Sequence, residues 1–317
     1  MTVTQGTLRI LHLGDLFFHR TLDVRASLTR LLDDLCGPEP GLGLEGIDLI
    51  VACGDFSWQA DPVDLAACCR FFQDLTSALD LDMSDCLLVP GNHDVDWSYR
   101  VYDHWPISKD LIDETPTDLR YIDGKTLFIL KQEDYPRRFG NFAEHLYKPL
   151  IGRSYPLEPS KQYQLFHHKP GNVCLLGLNS CERIDRFYNR RAGLNPLALA
   201  DALRAARHEN ASLRIACWHH PVSGKDGLEN ESTVEQLISA GFRLFLHGHV
   251  HGDRRQDFLR NVGQTWFIGA GCFNRALIRG QVRVRLYNLI EWDADKDQVQ
   301  VHQRIFNIFE DRWLPWK

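Results

Sequence analysis

Five short polar clusters hold most of the side chains in this sequence that are suited to binding a metal ion. They are Asp15; Asp55; Asn92, His93 and Asp94; His219 and His220; and His247, His249 and His251. Carboxylate, imidazole and amide oxygen together suit Mn, Fe, Zn or Ni better than Ca or Mg. The clusters contain no thiolate, which argues against a structural zinc finger. The residue types therefore predict a site for borderline divalent metals.

Two metal ions that lie side by side need a ligand that bridges them. A shared carboxylate offsets the repulsion between two cations roughly 3.5–4 Å apart. Asp55 directly follows the second apolar run of the sequence and is the candidate for this bridge. Gly14 and Gly54 precede the two isolated aspartates, and glycine lets the backbone approach a crowded pair of cations.

The clusters follow apolar runs that alternate with helix-like stretches. In the first half, strands are predicted at 8–13, 47–53 and 86–89, and helices at 21–35 and 62–79. This alternation predicts an α/β fold with crossover helices. The carboxyl ends of strands in open α/β sheets are where sites are assembled, so the clusters stand where a site is expected.

The alternation stops between residues 96 and 170, where aromatic and charged residues are frequent. We predict that this stretch is an insertion, partly helical, that covers one side of the site within a single domain spanning 1–317. The alternation then resumes, with strands at 173–178, 213–218 and 243–246 and helices near 194–208 and 233–240. The last third is strand-rich, with runs at 265–268, 282–292 and 299–308.

The bulk properties bear on location and partners. The N-terminal residues lack the basic and apolar regions of a signal peptide, and no run approaches the roughly 18 apolar residues of a membrane span. Nine scattered cysteines without a C-x-x-C pair indicate reduced thiols in the cytoplasm. We expect no membrane association. The net charge of −6 makes nucleic acid a possible but not a favoured partner.

Five motifs, in order, resemble those of a known enzyme family. They read ILHLGDLFFH, VACGDF, VPGNHDVDW, CWHHP and LHGHVHG, and they extend from Asp15 to His251, about three quarters of the chain. The series is similar to that of the calcineurin-like metallophosphoesterases, and VPGNHD followed by HHP resembles in particular the branch with class III cyclic-nucleotide phosphodiesterases. The resemblance implies a two-sheet β-sandwich flanked by helices, in agreement with the strand-rich last third.

The resemblance also implies a role for each matching residue. The implied metal ligands are Asp15 and His251 on the first metal, Asn92, His219 and His249 on the second, and Asp55 on both. His93 would protonate the leaving oxygen or stabilise charge on the transferring phosphoryl group, while a metal-bridging hydroxide attacks in line. A hydrolase of phosphate esters with two divalent metal ions, Mn, Fe, Zn or Ni, is therefore implied.

Two positions depart from the family's pattern. The first motif is usually Asp-x-His, but its third position here is Phe17, so one metal loses an imidazole that His19 or water could replace. An acid that helps to orient the catalytic histidine often follows the bridging aspartate by three residues. That position is Trp58, which leaves Asp94 or Asp61 for the role. Asp94 is therefore a second catalytic candidate.

Some residues keep two interpretations. His220 would either contact substrate or hydrogen-bond to a neighbouring side chain, and His247 would close its strand. Eight arginines and two acids lie between Arg243 and Arg285. They form either a solvated sheet face or a surface for anionic substrates.

The favoured function is a phosphodiesterase that acts on a nucleotide-like or other small phosphodiester. The motifs VPGNHD and HHP and the basic last third favour it. The alternatives are a phosphomonoesterase, including a protein phosphatase, a nuclease of the same fold, and a non-catalytic binding module with a decayed metal centre, which Phe17 would explain. The physiological substrate does not follow from the sequence, because one fold and metal centre serve many specificities.

Overall fold

A computed structural model describes residues 6–185, 191–230, 232–250, 252, 254–274, 277–278, 281–282 and 284–316. The strands are β1 (Thr7–Gly14), β2 (Leu49–Cys53), β3 (Cys86–Val89), β4 (Tyr102–Pro106), β5 (Arg120–Asp123), β6 (Thr126–Leu130), β7 (Tyr163–His168), β8 (Val173–Leu178), β9 (Leu213–Cys217), β10 (Leu244–His247), β11 (Leu259–Val262), β12 (Thr265–Gly269), β13 (Leu277–Ile278), β14 (Gln281–Val282), β15 (Leu286–Asp293), β16 (Gln298–Asn307) and β17 (Arg312–Pro315). The helices are α1 (Val24–Cys36), α2 (Pro62–Leu79), α3 (Lys109–Glu114), α4 (Gly140–Phe142), α5 (Lys148–Ile151), α6 (Pro196–Ala206), α7 (Ser232–Ser239) and α8 (Arg255–Phe258).

Most strands belong to two six-stranded sheets. The first sheet has the order β17-β16-β15-β1-β2-β3, and its strands β1, β2 and β3 are parallel. The second sheet has the order β11-β12-β10-β9-β8-β7, and β12, β10, β9 and β8 are parallel. Parallel strands end at the same edge of a sheet, so the loops that follow them gather there.

The two sheets pack face to face, with helices on the outside. Leu8 and Ile10 of the first sheet share one apolar core with Leu244 and Leu246 of the second. Helices α1 and α2 cover the outer face of the first sheet, and α6 and α7 cover the outer face of the second. The predicted two-sheet sandwich flanked by helices is confirmed. None of the described helices is both long enough and apolar enough to cross a membrane.

Local sequence signals explain where the two long helices that follow the site loops begin. Asp61 caps α2, because its carboxylate accepts the backbone N–H groups of Val63 and Asp64, and a proline occupies the first turn. Asn195 caps α6 in the same way and is also followed by a proline. Each helix therefore starts at a fixed residue, which fixes the length of the loop that precedes it.

The segment between β3 and β8 forms a small unit of its own before it rejoins the second sheet. Strands β4, β6 and β5 make a three-stranded antiparallel sheet, and a helical run over 136–151 packs against α2. Strand β7, within the stretch 96–170, pairs with β8 in the second sheet. The fully buried Arg138 donates hydrogen bonds to the backbone oxygens of Ile184 at 2.6 Å and Glu182 at 2.9 Å. These bonds attach the segment to the loop after β8.

Candidate metal centre

The loops that follow β1 and β2 are joined by backbone hydrogen bonds. The N–H of Asp15 donates to the oxygen of Gly54 at 3.1 Å, and the N–H of Phe17 donates to the oxygen of Asp55 at 2.8 Å. Asp15, Phe17 and Asp55 have φ angles of 46°, 44° and 55°. This left-handed conformation is disfavoured for residues other than glycine. The paired loops therefore hold both aspartates in a conformation that they would not adopt alone.

Asp55 is buried at the centre of the site. Its Oδ1 accepts the backbone N–H of His93 at 2.8 Å and lies 3.4 Å from Nε2 of His219. Its Oδ2 is buried and has no hydrogen-bond partner among the described residues. Burial opposes ionisation, but the charges of His219 and His93 hold the pKa of Asp55 below its usual range. A buried, ionised oxygen without a partner is costly, and a cation would satisfy it.

Gly91 makes this close approach possible. A Cβ atom at Gly91 would lie 2.3 Å from Oδ1 of Asp55, so a larger residue does not fit there. The turn that follows, Asn92–Asp94, brings Asn92 to the site, and its Oδ1 lies 3.1 Å from Nε2 of His219. The loops after three neighbouring strands of the first sheet thus contribute an oxygen donor each.

His219, which follows β9, faces these oxygen donors from the second sheet. Its Nδ1–H donates to the backbone oxygen of Cys53 at 2.7 Å, which directs Nε2 into the site. Burial disfavours the charged imidazolium, yet the carboxylates of Asp55 and Asp15 raise the pKa of His219 to about 9. The same negative charge that attracts a proton to Nε2 would attract a metal cation.

His249 completes the cluster from the loop after β10. Its backbone N–H donates to Oδ2 of Asp15 at 2.6 Å, and its Nδ1 lies 3.1 Å from Nε2 of His219. Its φ is 55°, again in the left-handed region. The neighbouring Gly248 has no space for a Cβ atom, which would lie 2.6 Å from the oxygen of Cys53. The two sheets are therefore in direct contact at the site.

The side chains present fit a divalent metal centre. One donor atom from each of Asp15, Asp55, His219 and His249 lies within 4.8 Å of the others. Two carboxylates, two imidazoles and the nearby amide oxygen of Asn92 are ligands that Mn, Fe, Zn and Ni accept. The structure thus places together five of the six residues predicted as metal ligands. The sixth, His251, lies outside the described residues.

His93 lies beside this cluster within a group of aromatic rings. The ring of Trp58 stacks on its imidazole at 4.2 Å between centroids, and that of Trp97 stacks at 5.4 Å. Phe17 meets the imidazole edge-on at 5.3 Å. The side chain is buried, with 9% exposed. The two positions that depart from the family's pattern, Phe17 and Trp58, therefore both contact His93.

The carboxylate of Asp94 is directed at backbone groups. Its Oδ1 accepts the N–H groups of Phe56 at 2.9 Å and Ser57 at 3.3 Å, and its Oδ2 accepts that of Gly91 at 2.8 Å. Burial and the nearby Asp55 carboxylate raise the pKa of Asp94 to about 8, against the effect of these N–H groups. Asp94 thus joins the loop after β2 to the turn after β3.

The other two substitutes proposed from the sequence lie away from the donor cluster. Asp61 caps α2 and accepts a hydrogen bond from Nη2 of Arg20 at 2.6 Å. Nδ1 of His19 lies 2.7 Å from Oγ1 of Thr21 in an exposed turn. Phe17 itself is buried, with 3% exposed. The position of the missing imidazole is filled by packed aromatic surface.

Ser180 was missed by sequence reasoning, although it supports both histidines of the HHP motif. Its Oγ accepts the backbone N–H groups of His219 at 3.2 Å and His220 at 3.3 Å and lies 2.8 Å from Nδ1 of His220. The signal was available, because Ser180 follows the apolar run of β8 as the metal-site aspartates follow theirs. His220 is thus hydrogen-bonded beside His249, at 4.8 Å between ring centroids.

His247, predicted to close its strand, is the last residue of β10 and is buried. Its Nδ1 lies 2.9 Å from the oxygen of Gly248, and burial lowers its pKa to about 4. A neutral imidazole in this place packs beneath the site loop. Its surroundings agree with the structural interpretation.

Several of the arginines from the basic last third make contacts within the protein. Arg243 forms two hydrogen bonds with Asp297, at 2.7 and 2.8 Å. Arg255 donates to Gln303, and Arg285 donates to the backbone oxygen of Phe273 while its guanidinium lies over an aromatic ring. In the part of the chain that the structure describes, these arginines do not form one anion-binding surface.

A cavity of about 420 Å³ adjoins the metal cluster on the side of the second sheet. His247 and His249 form one wall, and Lys225, Arg260 and Phe267 contribute to the others. The described lining residues do not include His93. The cavity therefore offers mixed apolar and cationic surface at a distance from the proposed proton donor.

Comparisons with known proteins agree with the geometry. A family model described as calcineurin-like phosphoesterase matches residues 8–253. The uncharacterized metallophosphoesterase-like protein YydB of Bacillus subtilis (strain 168) is 24% identical over 311 residues. That match covers 96% of this chain and 61% of YydB, so the chain spans less than two thirds of that relative.

Solved structures with a similar arrangement have low sequence identity to this chain. The structure of PhoD is 9% identical with a TM-score of 0.48, and the match covers 99% of this chain and 72% of that one. For a 5′-nucleotidase from Candida albicans SC5314 the values are 13%, 0.46, 98% and 53%. For a hypothetical protein from Thermus thermophilus they are 14%, 0.44, 94% and 99%. None of their substrates is transferred to this chain.

Proposed function

Because this chain belongs to the calcineurin-like phosphoesterase family, we propose that it hydrolyses a small, nucleotide-like phosphodiester at a centre of two divalent metal ions. The proposed ligands are Asp15, Asp55, Asn92, His219, His249 and His251. One observation carries the proposal: donor atoms from both sheets converge within 4.8 Å of one another beside the buried His93. Such convergence of costly buried groups is expected of a catalytic metal centre.

The chain's own residues hold the metals and fix their surroundings. When bound, divalent metals such as Mn, Fe, Zn or Ni supply Lewis acidity and an activated water. Asp15 and Asp55 supply the negative charge that offsets two cations. The hydrogen bond from Nδ1 of His219 to Cys53 fixes the imidazole tautomer, so that Nε2 is the atom offered to a metal.

His93 is the proposed proton donor to the leaving oxygen. Its backbone is fixed on both sides, because its N–H donates to Asp55 and its oxygen accepts the N–H of Ala60 at 2.8 Å. Asp94 acts through the backbone, since it joins the loop that carries Asp55 to the turn that carries His93. We therefore propose Asp94 as a positioning residue for the reaction.

The cavity beside His249 favours a diester over a monoester. A diester carries a second organic group that stays on phosphorus after the first has left. About 420 Å³ of mixed apolar and cationic space next to the metal cluster would accommodate such a group. The internal contacts of Arg243, Arg255 and Arg285 make a long nucleic acid a less suitable substrate.

The test combines metal analysis with two model esters. Protein reconstituted with Mn²⁺ should bind about two metal ions per chain and cleave bis(p-nitrophenyl) phosphate faster than p-nitrophenyl phosphate. His93→Ala should lower diester turnover at least about tenfold with unchanged metal content. His145→Ala, at a histidine in the helical run 136–151, is the matched control.

Each alternative gives a different result. Preference for the monoester would favour a phosphomonoesterase. Salt-dependent binding and cleavage of single- or double-stranded DNA would favour a nuclease. One metal or none, with no turnover of either ester, would favour a binding module with a decayed centre and would overturn the proposal.

A reducing compartment, the cytoplasm, is proposed as the location. All nine cysteines lie among the described residues without forming a disulfide, and all except Cys36 are buried. Burial raises the pKa of several of these thiols, Cys86 to about 12, which keeps them protonated and unreactive. Fractionation of cells that express the tagged full-length protein would test this assignment.

A further inference from the structure

The side chain of His93 is fixed chiefly through the faces of its ring. Trp58 stacks on it with an interplanar angle of 24°, and Trp97 with an angle of 30°. Phe17 adds an edge contact at 70°. The N–H bonds of an imidazole lie in the ring plane, so contacts on the faces set the direction of those bonds without using them.

The two indoles are themselves held by the loops that form the metal centre. Nε1 of Trp97 donates to the backbone oxygen of Asn92 at 3.2 Å. Trp58 precedes two residues with left-handed φ angles, Gln59 at 58° and Ala60 at 54°, and Ala60 donates to the oxygen of His93. The turn that presents Trp58 is therefore bonded to the residue on which Trp58 stacks.

From this arrangement we propose that Trp58 and Trp97 are positioning residues, which aim the His93 imidazole at the leaving-group oxygen by stacking on it. The proposal rests on the proposed function of His93. In the reaction, a water oxygen forms a bond to phosphorus while the bond from phosphorus to the leaving oxygen breaks. His93 gives its proton to that oxygen, and the proton lost by the water returns to solvent or to His93.

The proposal predicts an effect that depends on the leaving group. A poor leaving group needs the proton from His93, whereas a good one departs without it. Loss of a stacking ring should therefore slow poor leaving groups selectively. A general fault, such as metal loss or misfolding, would slow all substrates by the same factor.

The experiment uses the metal-reconstituted full chain and three diesters that differ only in leaving group: methyl phenyl, methyl p-nitrophenyl and methyl 2,4-dinitrophenyl phosphate. For Trp58→Ala we expect kcat to fall about tenfold or more on the phenyl ester and less than about threefold on the dinitrophenyl ester. KM and metal content should be unchanged. Trp58→Phe, which keeps a stacking ring, should stay within about threefold of the unsubstituted protein on all three. Trp97→Ala should resemble Trp58→Ala, with a smaller loss.

Two controls separate this proposal from the proposed function. His93→Ala should show the same leaving-group pattern with a larger loss, and Trp105→Ala, at an exposed tryptophan of β4, should match the unsubstituted protein. If His93→Ala shows the pattern but Trp58→Ala slows all esters equally or none, the positioning role is wrong and the function stands. If the unsubstituted protein cleaves none of the esters, both are wrong.

Discussion

The two sheets contribute different halves of the metal centre. The first sheet contributes oxygen donors, Asp15, Asp55 and Asn92, on loops that are bonded to one another through backbone groups. The second contributes imidazoles, His219 and His249, each oriented by a hydrogen bond to a neighbouring loop. The oxygen half carries the charge that would attract cations, and the imidazole half is positioned by contact with it. Damage to the first half should therefore have the larger effect.

The largest effect is expected for Asp55→Asn. The amide keeps the size of the side chain but removes the charge that offsets two cations, so metal content should fall and diester turnover should drop on the order of 10³-fold. Elemental analysis and steady-state kinetics would measure both. Asp61→Asn, at an acid that caps α2, is the matched control and should keep full metal content. Two metals per chain in Asp55→Asn would contradict the bridging role.

Asp94→Ala should cost stability as well as activity. Three buried N–H groups would lose their acceptor, which predicts a loss of about 3–5 kcal/mol in the free energy of unfolding. Asp94→Asn keeps one acceptor oxygen and should lose less. Urea denaturation monitored by tryptophan fluorescence would give both values. Equal stability of Asp94→Ala and the unsubstituted protein would show that the loops are joined by other contacts.

A smaller effect is expected on the imidazole half. Ser180→Ala removes the hydroxyl that supports His219 and His220, and metal affinity should fall about 10-fold to 100-fold with little change in overall stability. Metal titration by calorimetry would measure this change. Ser180→Thr, which keeps a hydroxyl, should recover part of it. An affinity loss as large as that of Asp55→Asn would remove the distinction between the two halves.

The smallest effect is expected outside both halves. Arg243→Gln breaks an exposed ion pair with Asp297, which predicts a change of less than about 1 kcal/mol in stability and none in diester turnover. Thermal denaturation and the diester assay would check these values. A large loss of turnover would show that the basic last third contacts substrate after all.

Much of the site could be predicted because its residues follow strands. The apolar runs before Asp15, Asp55 and His219 identify strand ends, and parallel strands bring their ends to one edge. Strand β15 begins at Leu286, later than predicted, because the run from 282 includes residues that precede the strand. Periodicity locates an apolar run more reliably than its first residue.

The surroundings of His93 could not be predicted in the same way. Trp58 and Trp97 belong to loops after different strands, and their stacking depends on how those loops pack. A tryptophan in a loop has no periodic signal that reveals its partner. Ser180 could have been found from its place after β8, whereas the three backbone bonds of Asp94 arise only when two loops are brought together.

The left-handed backbone at Asp15, Asp55 and His249 has a consequence for how metals are acquired. Such conformations cost of order 1–3 kcal/mol each, and here they are imposed by hydrogen bonds that exist without any ion. The chain therefore spends this conformational energy when it folds. A cation that arrives later meets ligands already in place, so little entropy of ordering is subtracted from its affinity.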